Sequence, residues 1–150
     1  NGCGCGNDNC SCGCCQGESL QAASLGDVAV APSSQIPFAL YVFSEGSAIT
    51  HQPGSGDFVI SCPGTYLVQF SCSAYTLQSV SQNASVGLAV DDQVLTHTMI
   101  QKAVTAAGGA VNLATQSLIQ VPAGSQTRVS VYNTGDAMNF LRPNMTIAKV

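Results

Sequence analysis

The chain is expected to fold as an all-β sandwich of about eight to ten antiparallel strands, preceded by a short cysteine-rich arm. Three observations lead there. Apolar and polar residues alternate with period two in short runs. Clusters of Gly, Pro, Asn, Asp and Ser interrupt those runs at roughly 8–12-residue spacing. Val, Ile, Thr, Phe and Tyr concentrate within the runs, where a pleated, half-buried surface favours them. Helical text is scarce. The one candidate, "IQKAVTAAGGAVNLA", is broken by Gly108-Gly109, and glycine costs a helix about 1 kcal/mol relative to alanine.

The elements follow in order. Residues 1–19 hold six of the eight cysteines among Gly, Asn and Ser, with no large apolar side chain before Leu20. They are expected to form a flexible arm with no core of its own. Residues 20–34 are expected to be a linker, and residues 35–150 the folded domain. "QIPFALYVF" (35–43) is apolar on both faces, Phe38, Leu40 and Val42 against Ala39, Tyr41 and Phe43. Such a strand needs cover on both sides. After the turn-rich "SEGSAITHQPGSGD" come "FVIS", the turn "CPG" and "TYLVQFSCSAYTL". There Tyr66, Val68, Phe70, Cys72 and Ala74 make a core face, and Leu67, Gln69, Ser71, Ser73 and Tyr75 an uncharged outer one. "ASVGLAV" turns through Asp91-Asp92 into "VLTHTMIQ". "AVNLATQSLIQV", "QTRVSVYN" and "NMTIAKV" complete the domain.

Composition narrows the function. The chain has 150 residues, 45 % of them hydrophobic and only 8 % charged, about a third of the usual charged share. That is long enough for one well-cored domain plus a tail, and the opposite of a disordered composition. Lys102, Arg128, Arg142 and Lys149 stand against eight acids, for a net charge of −4. Nucleic-acid binding and polybasic membrane association both need a basic face, so neither is expected. No run approaches the roughly 18 apolar residues of a membrane span.

The passage "GDFVISCPGTYLVQFSCSAY" (56–75), with Pro63, Gly64 and Tyr66 as its sharpest points, resembles the strand–Pro-Gly–strand segment of the C1q and tumour-necrosis-factor-like jelly rolls. "VDDQV", "VPAGSQTRVSVYN" and the ending "MTIAKV" fall in the same order as in that family. The resemblance covers about residues 35–150 and is strongest to the domains that cap collagen-like proteins on bacterial spore surfaces. No Gly-X-Y stalk precedes the domain, and the cysteine arm stands in its place. The resemblance implies a homotrimer about a threefold axis, with Phe38, Tyr41, Leu67, Gln69 and Tyr75 at the subunit interface. The alternative is that these strands are covered within one subunit.

Catalytic signatures are missing. His51 and His97 belong to no spaced pair, and there is no G-x-S-x-G elbow, phosphate loop or cysteine–histidine signature. No catalytic residue, metal site or cofactor is assigned, and the chain is not expected to be an enzyme. Asp91-Asp92 fit a hairpin turn, where Asp bonds to its own backbone, with calcium as the alternative. "NAS" at Asn83 and "NMT" at Asn144 match glycosylation acceptors.

The sulfurs carry the functional expectation. Cys3, Cys5, Cys10, Cys12, Cys14 and Cys15 are too crowded to pair easily with one another, because a disulfide needs Cα atoms roughly 4.4–6.8 Å apart with suitable directions. On an arm they are better placed to reach another chain, either its arm or its Cys62. Cys72 alternates with core residues and is expected to be a buried free thiol. The plan resembles that of endospore appendage pilins. The expectation is a structural subunit, cross-linked through these sulfurs into an extracellular fibre or a layer on a cell or spore surface, with itself as partner and a surface anchor protein as a further one. Two alternatives stand: a ligand-binding module anchored by its arm, and a metal–thiolate protein.

Overall fold

The computed structural model describes residues 17–78, 80–105 and 109–150. Twelve strands occur among them: β1 (Ser19–Ala23), β2 (Asp27–Val30), β3 (Leu40–Glu45), β4 (Ile49–His51), β5 (Phe58–Ile60), β6 (Gly64–Tyr75), β7 (Gln82–Val90), β8 (Gln93–Val94), β9 (Ile100–Val104), β10 (Ala110–Val121), β11 (Thr127–Asn133) and β12 (Met138–Lys149). A 3₁₀ turn spans Thr96–Thr98. Sheet A runs β10-β6-β12-β1-β3, with β2 also on β12. Sheet B runs β4-β5-β11-β7-β8, with β9 also on β7. Every pairing is antiparallel.

Alternation in the sequence builds the core directly. In β6, Tyr66, Val68, Phe70, Cys72 and Ala74 point inward and are buried, while their neighbours face outward. Met145 and Ile147 of β12, Leu113 and Ile119 of β10, and Val129 and Val131 of β11 meet them between the sheets. Phe38 stands among Phe58 and Phe70 in edge-to-face contact, with ring centroids 5.2 and 6.1 Å away. This geometry sets the positive ring edge against a negative ring face.

The turn at Asp91-Asp92 is as expected. Both residues have positive φ, 49° and 68°, the type I′ geometry that suits a two-residue hairpin. They join β7 to β8, with Val90 opposite Gln93.

Three expectations are corrected. Residues 20–34 are not merely a linker. Leu20, Ala22 and Ala23 are buried, and β1 lies between β12 and β3, with Leu20 opposite Ile147 and Ser44. Five residues of small and apolar alternation suffice there, because two long neighbours satisfy the backbone on both sides. The strand expected over 35–43 begins only at Leu40, and it is an edge strand rather than one covered on both sides. Because β1 occupies the inner position, β3 is displaced to the rim. Phe38 precedes that strand and is fully buried in the core, so it has no surface to offer a neighbouring subunit.

Candidate assembly site

The outward face of sheet A is where the remaining interface candidates sit. Register places Gln116 opposite Gln69, Gln69 opposite Thr146, Thr146 opposite Gln21, and Gln21 opposite Phe43. The next row runs Leu118, Leu67, Ala148 and Ser19. Tyr75 lies further along the same face of β6, opposite Ala110 and Asn139, and its hydroxyl contacts the Asp27 carboxylate. Leu67, Gln69 and Tyr75 therefore share one face, as the alternation required. Tyr41 lies apart from them on the rim strand.

The polar side chains of this face already bond to one another. The Gln69 amide donates to Gln116 Oε1 at 2.9 Å, Ser73 donates to Asn112 at 2.8 Å, and Gln21 donates to Asn144 at 2.9 Å. Covering a polar group costs most when its hydrogen bond is lost with the water. A face whose amides pair laterally escapes much of that cost. A hollow of about 380 Å³ opens at its centre, edged by Gln69, Ser71, Ala114, Gln116, Asn144 and Thr146. On this face, Gln21, Gln116 and Thr146 were not singled out in the sequence, and Asn144 only as a glycosylation acceptor. The alternation of Leu20, Gln21 and Ala22 was the available signal for the first.

The second part of the site is the root of the arm. Glu18 is buried and accepts the Ala48 N–H at 2.8 Å, and Ala48 packs on Cys62. Tyr66 donates to the Cys62 carbonyl at 2.8 Å; its hydroxyl is pushed up to about 12 by burial and then by the Glu18 charge. Cys62 is thereby fixed beside the point where the arm enters the fold, and it is disulfide-bonded. Cys72 is buried and free, its thiol pushed up to about 12 by burial, so it stays protonated and unreactive. Cys3, Cys5, Cys10, Cys12, Cys14 and Cys15 lie outside the described residues.

The other candidates are dispersed. His51 is buried in β4, and His97 sits on the 3₁₀ turn against Ser117 at 3.0 Å. Asp92 receives hydrogen bonds from Arg128 at 2.8 Å and Tyr132 at 3.0 Å, which hold its carboxyl below the ordinary carboxylate range. Asp91 accepts the Arg128 N–H. Among the described residues, no group of three or more His, Cys, Asp or Glu is placed to hold a metal ion. Among them, too, no helix is long and apolar enough to cross a membrane.

Solved structures share this two-sheet arrangement. The globular domain of zebrafish complement 1qA aligns over 87 % of this chain and 94 % of its own, at 8 % identity and a TM-score of 0.57. Murine APRIL aligns over 90 % of this chain and all of its own, at 10 % identity and 0.62. The chain has the C1q/TNF-like jelly-roll fold. Eiger TNF from S. frugiperda extends the jelly-roll likeness, at 15 % identity and 0.57 over 89 % of this chain and 91 % of its own. No protein-family model and no curated protein matches the sequence. The jelly roll is thus conveyed by pattern and topology at identities too low to carry any function across.

Proposed function

We propose that the chain is a non-enzymatic structural subunit. It associates as a homotrimer through the outer face of sheet A, and cysteine cross-links then join it into an extracellular fibre or a layer on a cell or spore surface. The observation that carries the reading is one of parity. Of eight cysteines, Cys72 is buried and free, which leaves seven. An odd number cannot all pair among themselves, so at least one of these seven sulfurs is left over, and the proposal assigns it to a cross-link. The arm holds six of these seven and joins the fold beside the seventh, Cys62.

The trimer draws support from the rows of sheet A through Gln69 and Leu67, which carry no charge before Glu45 and whose amides bond laterally. Interface centres are depleted of charge while their rims stay polar. Cross-linking would make such an assembly kinetically persistent, since its subunits could not separate without reduction. Sulfurs used this way call for an oxidising exterior. An anchor protein on the surface would attach the outermost subunits.

Gel electrophoresis in detergent, with and without reductant, tests the cross-links. A ladder or non-entering polymer that collapses to a 15.3 kDa band only with reductant supports them. A monomer band in both lanes overturns them. Sedimentation of the reduced native protein tests the trimer separately, with a mass of one subunit as the overturning result.

A further inference from the structure

We propose that β3 is a self-docking edge, which pairs antiparallel with β3 of a second copy and so links one assembly unit to the next. The idea deepens the assembly reading by naming the contact that brings arms of different units together.

β3 ends sheet A, so one row of its backbone N–H and C=O groups has no strand partner among the described residues. Natural edges are usually blunted by lysine, proline, inward charge or covering loops. Leu40–Glu45 contains no lysine or proline, and its single charge is terminal. The one irregularity is a bulge in its pairing with β1, opposite Gln21/Ala22. The strand also carries Tyr41, Val42 and Phe43, exposed by 46, 55 and 53 %. Among the described residues these are the only three consecutive large apolar side chains left so exposed. Tyr41 is held in place by its hydroxyl on the His51 carbonyl, so little freedom remains to be lost on docking.

A second copy fits better than an unrelated strand. Antiparallel pairing about a twofold axis sets apolar residues against apolar residues. It also sends the two Glu45 carboxylates to opposite ends, where they do not meet. The arm supplies the second argument. A Cβ on Gly17 would lie 3.6 Å from Glu45 Oε2, so the sixteen preceding residues depart from the Glu45 end of β3. In the antiparallel pair each arm therefore starts alongside the partner's strand. Sixteen residues span at most roughly 55 Å, ample to reach sulfurs of the opposing copy.

One six-residue edge is far smaller than the roughly 1,200 Å² of a stable interface. It is therefore weak alone and becomes effective when several edges act together or a disulfide tethers the pair. The test is sedimentation equilibrium of the reduced full chain from about 10 μM to about 1 mM, the range in which such weak contacts register. The expected result is a reversible doubling of mass with concentration. Val42→Lys weakens that doubling at least tenfold while leaving the smaller species intact, and Leu25→Lys, more exposed but off the edge, leaves it unchanged. A mass that stays constant across the range overturns the proposal, as does a Val42→Lys protein that doubles as readily as the parent. A trimer that never doubles refutes the β3 contact alone, whereas a monomer that doubles to a dimer refutes the trimer and keeps β3.

Discussion

Replacing His51 by Phe should reduce the loss of stability that this protein shows on going from pH 7.5 to pH 5.5. The His51 side chain is 3 % exposed and stacks on Phe58 at a centroid distance of 4.4 Å. Its Nε2 lies 2.8 Å from the Ser55 carbonyl, and its Nδ1 has no partner. Burial lowers its pKa from the ordinary 6.5, and the Ser55 hydrogen bond offsets this only in part. The folded state therefore resists a proton that the unfolded chain accepts. Stability from this site is complete above the unfolded pKa of 6.5 and falls as pH drops below it, until the folded ring itself protonates. While the folded ring stays neutral, the loss is about 1.4 kcal/mol per pH unit at most. At pH 7.5 the substitution removes one hydrogen bond, worth about 0.5–1.5 kcal/mol, and an unpartnered buried nitrogen, costing about 1–3 kcal/mol. The Ser55 carbonyl keeps the Phe38 N–H, so the variant should be as stable as the parent or slightly more so. The assay is urea unfolding of the reduced proteins at pH 7.5, 6.5 and 5.5. His97 is common to both and cancels in the difference. Parallel pH profiles would refute the argument.

Other perturbations separate core, turn and surface. Phe38→Ala should cost about 3–5 kcal/mol by chemical denaturation, since the side chain is fully buried among Phe58, Phe70 and His51. Gly46→Ala should destabilise by at least 1 kcal/mol, because φ is +80° and the added Cβ would fall 2.1 Å from buried Glu18 Oε1; a thermal melt reads the shift. Asp92→Ala breaks the Arg128 ion pair, whose partners are 42 and 45 % exposed, and should lower the denaturation midpoint only slightly, the effect shrinking further in high salt. Gln69→Lys should reduce the mass of the reduced protein in sedimentation without changing its melting temperature, since the side chain is exposed in the single subunit.

What was legible in the sequence was whatever a period of two can encode. β6 shows this well, because one long strand packs a continuous inner face and its outward residues can be read by alternation alone. The hairpin at Asp91-Asp92 was legible because its chemistry is local. β1 was missed because "SLQAA" is short and small. Its place is fixed by pairing with β12 from the far end of the chain, a contact that no local window contains. That single omission also misplaced β3, since whether a strand is central or at the rim depends on its neighbours. Phe38 was placed at a subunit interface by the resemblance, on a stretch read as apolar on both faces. Alternation was counted through a segment that is not a strand until Leu40, so inner and outer positions lost their meaning before it began.

The distribution of the few charges bears on both assembly surfaces. Asp91, Asp92 and Arg128 gather around the β7–β8 turn and β11 of sheet B, where they bond to one another. On sheet A, the rows through Gln69 and Leu67 carry no charge until Glu45 at the rim. A face meant only for water gains nothing by avoiding lysine and glutamate, since charged side chains there are solvated at little cost and deter association. Excluding them across four adjacent strands makes sense if the face is to be covered, because a desolvated charge is costly unless it finds a partner. Amides and hydroxyls that bond laterally satisfy both states, wet before assembly and dry after it. β3 lies at the end of that same uncharged field, with apolar side chains where the amides stop. The face and the edge thus divide two tasks by chemistry: laterally paired polar groups for a broad contact, and an open backbone with aromatic cover for a narrow one.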